Sequence, residues 1–183
     1  MRSLCMAALF AALTSCVMPV TKQASGNRPY YTYVRVSPFK SDDQFSELTF
    51  SLDMERMVLS RGHGGERIHD CQEHEQFHCF SSHVLSFAVP RKTPDVGASW
   101  AASGFEYRVV RKEKVEIFGV SIDTLVINQS ARESGFVNTY YYSIERGLIG
   151  LSLQDSSDGR LELMLSTSGY GFPAMKNGDL IGK

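Results

Sequence analysis

From Tyr30 onward apolar residues recur at every second position, the period of a strand with one buried and one solvated face. Leu48, Phe50 and Leu52 alternate with Thr49, Ser51 and Asp53; Phe105, Tyr107 and Val109 alternate with Glu106 and Arg108. Ile149, Leu151 and Leu153 alternate with Gly150 and Ser152. Beyond the turn residues Ser157-Asp158-Gly159 the pattern resumes at Leu161, Leu163 and Leu165, which predicts a hairpin. Further strands are predicted over Tyr30 to Val36, Met57 to Ser60, Phe77 to Phe80, Val84 to Val89, Val115 to Ile127 with a break near Gly119, and Phe136 to Ser143. No stretch carries a helical stripe longer than about two turns, and Ser41-Asp42-Asp43 before Phe45 is at most a short helix cap. The expected fold is mainly β: an antiparallel sandwich, a barrel or a strongly curved open sheet of about nine or ten short strands, with little helix.

The N-terminus departs from this pattern. Arg2 precedes an unbroken apolar run from Leu4 to Leu13, which has the length of a signal-peptide core and falls well short of the roughly 20 residues a membrane-spanning helix needs. Leu13-Thr14-Ser15-Cys16 closes the run and resembles the bacterial lipobox. The resemblance implies cleavage before Cys16, acylation of Cys16 and anchoring in a membrane, with multiple acyl chains supplying the stable hold that one chain lacks. Val17 stands where an Asp in enterobacterial lipoproteins marks retention in the inner membrane, so the resemblance implies the outer membrane, facing the periplasm. Read from the residues alone, the run is also compatible with an ordinary secretory signal or an apolar N-terminal strand. The expected organisation is a signal peptide over 1–15, a lipidated Cys and flexible polar tether over 16–29 with Pro19 and Pro29 near its ends, one β-rich domain over 30–168, and a glycine-rich, partly disordered tail over 169–183.

Val137 to Leu148 (VNTYYYSIERGL), a tyrosine-rich strand running into a Gly-Leu turn, resembles the hairpin of uncharacterised envelope β-sheet domains of Gram-negative bacteria and implies the same β fold. On a strand, Tyr140, Tyr141 and Tyr142 point alternately to opposite faces. At least one ring is expected in the core and another outside, where it would suit stacking on a sugar or peptide.

Charge changes the picture by exclusion. With 19 Lys and Arg against 20 Asp and Glu, the chain carries a formal charge of −1 and shows no basic stripe, so no nucleic-acid partner is expected. The expected partners are the membrane, through the lipid anchor, and an envelope protein, glycan or lipid. Cys5 leaves with the leader and Cys16 is the acylation candidate, leaving Cys71 and Cys79, which in an exported protein are expected to form a disulfide. Arg67 to Cys71 and Phe77 to Phe80 are expected to pair as a hairpin across Gln72 to Gln76.

All five histidines lie between His63 and His83. His74-Glu75-Gln76-Phe77-His78 resembles the zincin metalloprotease motif, which implies His74 and His78 as zinc ligands one helical turn apart and Glu75 as general base. A distant glutamate such as Glu106 or Glu116 would have to complete the ligand set. The surroundings oppose a helix: Gly62, Gly64 and Gly65 lie upstream, Ser81-Ser82 downstream, and a disulfide would tie the ends of the motif. The longer metzincin pattern fails, with Ser81 in place of its glycine and Val84 in place of its third histidine. A non-catalytic zinc or copper site from His74, His78, Cys71 and Cys79 is the softer alternative, lost if the thiols are oxidised.

No nucleophile elbow, phosphate loop or dinucleotide fingerprint is present. Trp100, in the small-residue loop Gly97-Ala98-Ser99-Trp100, is expected to plug the rim of the sheet. The expected function is that of a membrane-anchored envelope lipoprotein with a non-catalytic binding or structural β domain, and no catalytic residue or cofactor is assigned. The alternatives are a zinc-dependent hydrolase built on His74, Glu75 and His78, or a carrier whose curved sheet encloses a lipid or other apolar ligand.

Overall fold

Ten antiparallel strands form one open sheet whose inner face is filled by a separate hairpin of the same chain. The computed structural model describes residues 30–36, 49–62, 64–71, 74–131, 137–154, 161–173, 175–176 and 179–180. The leader, Cys16, the tether, Ser41 to Asp43, His63 and the turn at 157–159 lie outside them.

The strands are β1 (Tyr30–Arg35), β2 (Thr49–Asp53), β3 (Val58–Arg61), β4 (Gly64–Arg67), β5 (Phe77–Ser81), β6 (Ser86–Pro90), β7 (Ser99–Ala102), β8 (Phe105–Ile117), β9 (Val120–Ala131), β10 (Val137–Ser143), β11 (Gly147–Gln154), β12 (Leu161–Ser166), β13 (Met175–Lys176) and β14 (Asp179–Leu180). The large sheet runs β4-β3-β2-β1-β12-β11-β10-β9-β8-β7; β5 pairs with β6, and β13 with β14. The sheet is not closed into a barrel, and the described residues contain no helix.

Period-two alternation places one residue in two on the inner face, and the register lines these residues up across the strands. Met164, Leu151, Tyr140, Ile127 and Val109 form one continuous row over β12, β11, β10, β9 and β8. Phe50, Tyr33 and Ser166 form another over β2, β1 and β12. Every one of these side chains is buried, and each large apolar one contributes roughly 1.5–3 kcal/mol.

Opposite them sits the β5–β6 hairpin, in which Phe80, Phe87, Ala88 and Val89 are buried. The Phe87 ring meets Tyr140 at 5.1 Å and Tyr142 at 6.1 Å, and Phe80 meets Phe172 edge-on at 5.3 Å. Both edges of the sheet reach this hairpin. On β4, Glu66 Oε1 accepts from the Val84 N–H at 3.2 Å; on β7, Trp100 Nε1 donates to the Ala88 carbonyl at 3.1 Å. The hairpin thus spans the gap that a closed barrel would bridge with a β4–β7 ladder.

Several elements depart from the sequence expectation. β4 (Gly-Gly-Glu-Arg) has no apolar alternation and exists because β3 offers it a ladder. β7 is a strand, not a loop, and Trp100 stacks on Tyr107 with ring centroids 5.7 Å apart and planes 5° from parallel. β8 runs unbroken through the charged stretch Arg111 to Lys114, carried past a bulge between Val109 and Arg111 by its pairing with β9. The break near Gly119 is a two-residue turn, Phe118-Gly119, with φ of 51° and 76°; Ser103-Gly104 makes the same kind of turn between β7 and β8 with 51° and 80°.

The segment that sequence places in a loose tail begins as docked structure. The Gly171 N–H donates to the Arg146 carbonyl at 2.7 Å, and the Phe172 carbonyl accepts from the Leu148 N–H at 2.9 Å. A Cβ at Gly171 would overlap the Leu148 carbonyl, so only glycine allows this approach.

Candidate functional site

The chemistry-bearing residues concentrate around β5. Residues 68–71 run antiparallel to it: the His69 N–H donates to the Ser81 carbonyl at 2.8 Å and the Ser81 N–H to the His69 carbonyl at 2.9 Å. The same register, centred on Glu75, sets Cys71 opposite Cys79 with Cα atoms 5.9 Å apart, which is disulfide distance. The hairpin expected over Arg67 to Cys71 is reduced to this single bridge, because Arg67 is paired with Val58 of β3 and the Ile68 N–H donates to the Met57 carbonyl. Arg91 ties down the intervening turn, its Nε and Nη2 donating to the His74 carbonyl at 3.2 and 2.9 Å and its N–H to the Gln76 carbonyl at 3.0 Å.

This geometry separates the zincin-like residues. His74 and Glu75 sit in the exposed turn, whereas His78 lies on β5 and is 7% exposed, so no helix sets the two imidazoles one turn apart. His78 Nε2 has no hydrogen-bond partner among the described residues. Burial, reinforced by the Arg91 charge, holds its pKa below the ordinary 6.5. His69 and His83 are exposed, and Glu106 and Glu116 are exposed near opposite ends of β8. Among the described residues no three His, Cys, Asp or Glu side chains come together as a metal-binding group.

The structure assembles instead a polar knot that the sequence reading did not name. Gln129, 2% exposed on the inner face of β9, donates from Nε2 to the Ser86 carbonyl at 2.8 Å and to the Tyr107 hydroxyl at 3.0 Å. Its Oε1 accepts from Asn138 Nδ2 at 2.9 Å and lies 2.9 Å from the Tyr140 hydroxyl, which also reaches the Ser86 carbonyl at 2.7 Å. Burial raises the Tyr140 pKa well above its usual 10, and the neighbouring Tyr107 adds to the rise, so the hydroxyl remains a donor. Every partner is satisfied, which makes the knot a specifier of how β6 docks on the sheet. Its signal in the sequence was a glutamine continuing the inward series Leu125, Ile127, Gln129.

The tyrosine triplet alternates as its strand position requires. Tyr140 and Tyr142 are core, while Tyr141 lies half-buried on the outer face, where it and Leu165 cover Gly150. Its ring packs against the small outer cluster of Ile117, Ile122 and Ile149 and offers no open stacking platform. Also on the outer face, an open groove of about 670 Å³ is lined by Ser99, Ala101, Glu106, Arg108 and Asn128. It is shallow and mixed in polarity, with the Trp100 ring committed to Tyr107.

Comparison of the chain with models of known protein families, with curated proteins and with solved structures finds no match.

Proposed function

We propose that the protein is a lipid-anchored component of the bacterial cell envelope, held at the outer membrane through Cys16, whose β domain binds or braces another envelope component without catalysis. The observation that carries this reading is the run Leu4 to Leu13 closing on Leu13-Thr14-Ser15-Cys16, followed by a polar stretch before the first strand. The architecture supports the structural or interaction role over the carrier: the place a carrier would keep for its ligand is taken by Phe80, Phe87 and Val89 of the chain's own hairpin. The dispersal of His74, Glu75 and His78 over a turn and a strand removes the geometric premise of the hydrolase.

Growth of cells in radiolabelled palmitate tests the anchor. Label is expected on the wild-type chain and absent from Cys16→Ala; an unlabelled wild type, or equal label on both, overturns the reading.

A further inference from the structure

The described chain begins at the same end of the sheet as several of its connections. β8 and β9 meet there at Ile117 opposite Val120, and β10 leaves the sheet there after Ser143. Tyr30 starts β1 opposite Asp53, two residues before Thr32, whose carbonyl accepts from the Thr167 N–H at 2.9 Å. The loop after β12 joins these parts: a Cβ at Gly169 would lie 3.5 Å from Arg146 Nη1 and 3.7 Å from Ile122 Cδ1.

This end collects exposed apolar side chains. Tyr30, Phe118, Val120, Ile144 and Tyr170 are all exposed, and Phe118, at 77%, is the most exposed large apolar residue among those described. Its backbone makes the placement costly as well, because φ of 51° is a region where glycine, asparagine and aspartate sit easily and a bulky side chain does not. The matched position in the β7–β8 turn, at the opposite end of the sheet, holds the small residue Ser103 with the same φ. Among the described residues no packing offsets the cost at the exposed Phe118, the pattern expected where an outside surface does so. Charges here come in both signs, with Lys114 3.9 Å from Asp123 and Arg146 over the Tyr170 ring at 4.9 Å. The attraction is therefore apolar and aromatic, and needs no anionic partner.

We infer that this end of the sheet lies against a phospholipid bilayer, with Phe118 entering the boundary between headgroups and acyl chains and Tyr30 and Tyr170 beside it at headgroup level. Tyrosines favour that level because one end of the ring is apolar and the other wet. The inference rests on the anchor reading for its orientation. On that reading a tether the length of residues 16–29 spans typically about 20 Å as a random coil, whereas a strand the length of β8 is about 43 Å long. An anchor at Cys16 therefore keeps the Tyr30 end near the lipid and the Ser103 end away from it.

The test uses the full chain, expressed with its leader and reconstituted into phosphatidylethanolamine and phosphatidylcholine vesicles with or without brominated phosphatidylcholine. Phe118→Trp and Ser103→Trp are each compared with the parent, which contributes the constant emission of Trp100. Brominated lipid is expected to remove most of the emission added by Phe118→Trp and little of that added by Ser103→Trp. No quenching of Phe118→Trp, or equal quenching at both sites, overturns the inference. So does a blue shift of Phe118→Trp that needs no lipid and grows with protein concentration, which would assign this end to a second copy of the chain. Palmitate label measured on the same preparations reads the anchor separately: its absence sinks the anchor, while quenching still decides whether Phe118 meets lipid.

Discussion

Tyr33 on β1 donates its phenolic hydrogen to the carbonyl of Leu148 at the start of β11, 2.7 Å away and 115 residues along the chain. Around that carbonyl β1, the β10–β11 turn and the docked segment ending at Pro173 converge. Tyr33→Phe would leave the Leu148 oxygen without this donor and is expected to lower stability by about 1–3 kcal/mol, read from the urea midpoint.

The same burial sets an alkaline limit. Tyr33 and Tyr140 are raised well above the usual 10, chiefly by burial, and burial pushes Tyr142 up to about 12. An unfolded phenol ionises near pH 10, so above that pH the unfolded chain holds fewer protons than the folded one and stability falls as pH rises. For Tyr142 the loss is expected between about pH 10 and its folded value. Tyrosinate absorbance should appear together with unfolding, and the slope should be shallower in Tyr33→Phe.

His78 sets the opposite limit. Its folded pKa lies below 6.5, because of burial first and Arg91 second. As pH falls below about 6.5 the unfolded chain takes up the proton first, so the contribution is complete above that pH and is lost below it. His78→Leu removes the titrating ring and its unpartnered nitrogen. Denaturant titrations across this range should show a flatter acid slope, with stability at neutral pH within about 1.5 kcal/mol of wild type.

Cys71 and Cys79 close a loop with a sequence separation of 8. The chain-entropy relation gives a link of that length about 2–3 kcal/mol, so Cys71→Ser is expected to lower stability by that amount and to leave the fold intact. Alkylation of the wild-type chain under denaturing, non-reducing conditions should find neither thiol free. The His69–Ser81 hydrogen bonds hold this segment on β5 independently of the link.

Two glycines should differ sharply. At Gly104, with φ of 80°, a Cβ meets nothing within 4 Å, so Gly104→Ala costs only the backbone conformation, about 1 kcal/mol. At Gly171 the Cβ would overlap the Leu148 carbonyl, and Gly171→Ala is expected to cost at least about 2 kcal/mol and to undock the segment that carries Phe172. Limited proteolysis, with new cleavage near Tyr170 in the second variant alone, checks the difference.

Alternation in the sequence was enough to place Phe50, Leu52, Tyr107 and Val109 on the inner face and to pair β11 with β12, since side-chain period and a short connection are both local properties. The facing of Cys71 and Cys79 was legible for the same reason. The letters of the zincin motif were equally plain, yet whether they form a helix or a strand depends on β6, which takes the backbone hydrogen bonds of His78 and its neighbours. Gln129 announced an exception within an apolar series, but its meaning required Ser86, Tyr107 and Tyr140 at the same point.

By itself, then, the sequence determined what each segment prefers locally: strand period, the inward residues of β2 and of the first half of β8, the turn at Gly119 and the lipobox-like leader, whereas on β12 the alternating Leu163 and Leu165 face outward and Met164 faces the core. The tertiary structure alone decided that the sheet stays open, that β4 and β7 exist as its edges, that β5–β6 fills the interior, and that Phe118 shares an end with Tyr30. Those outcomes turn on which distant strands meet, and pairing between distant segments is set by the summed burial and backbone hydrogen bonding of the whole chain, which no local pattern contains.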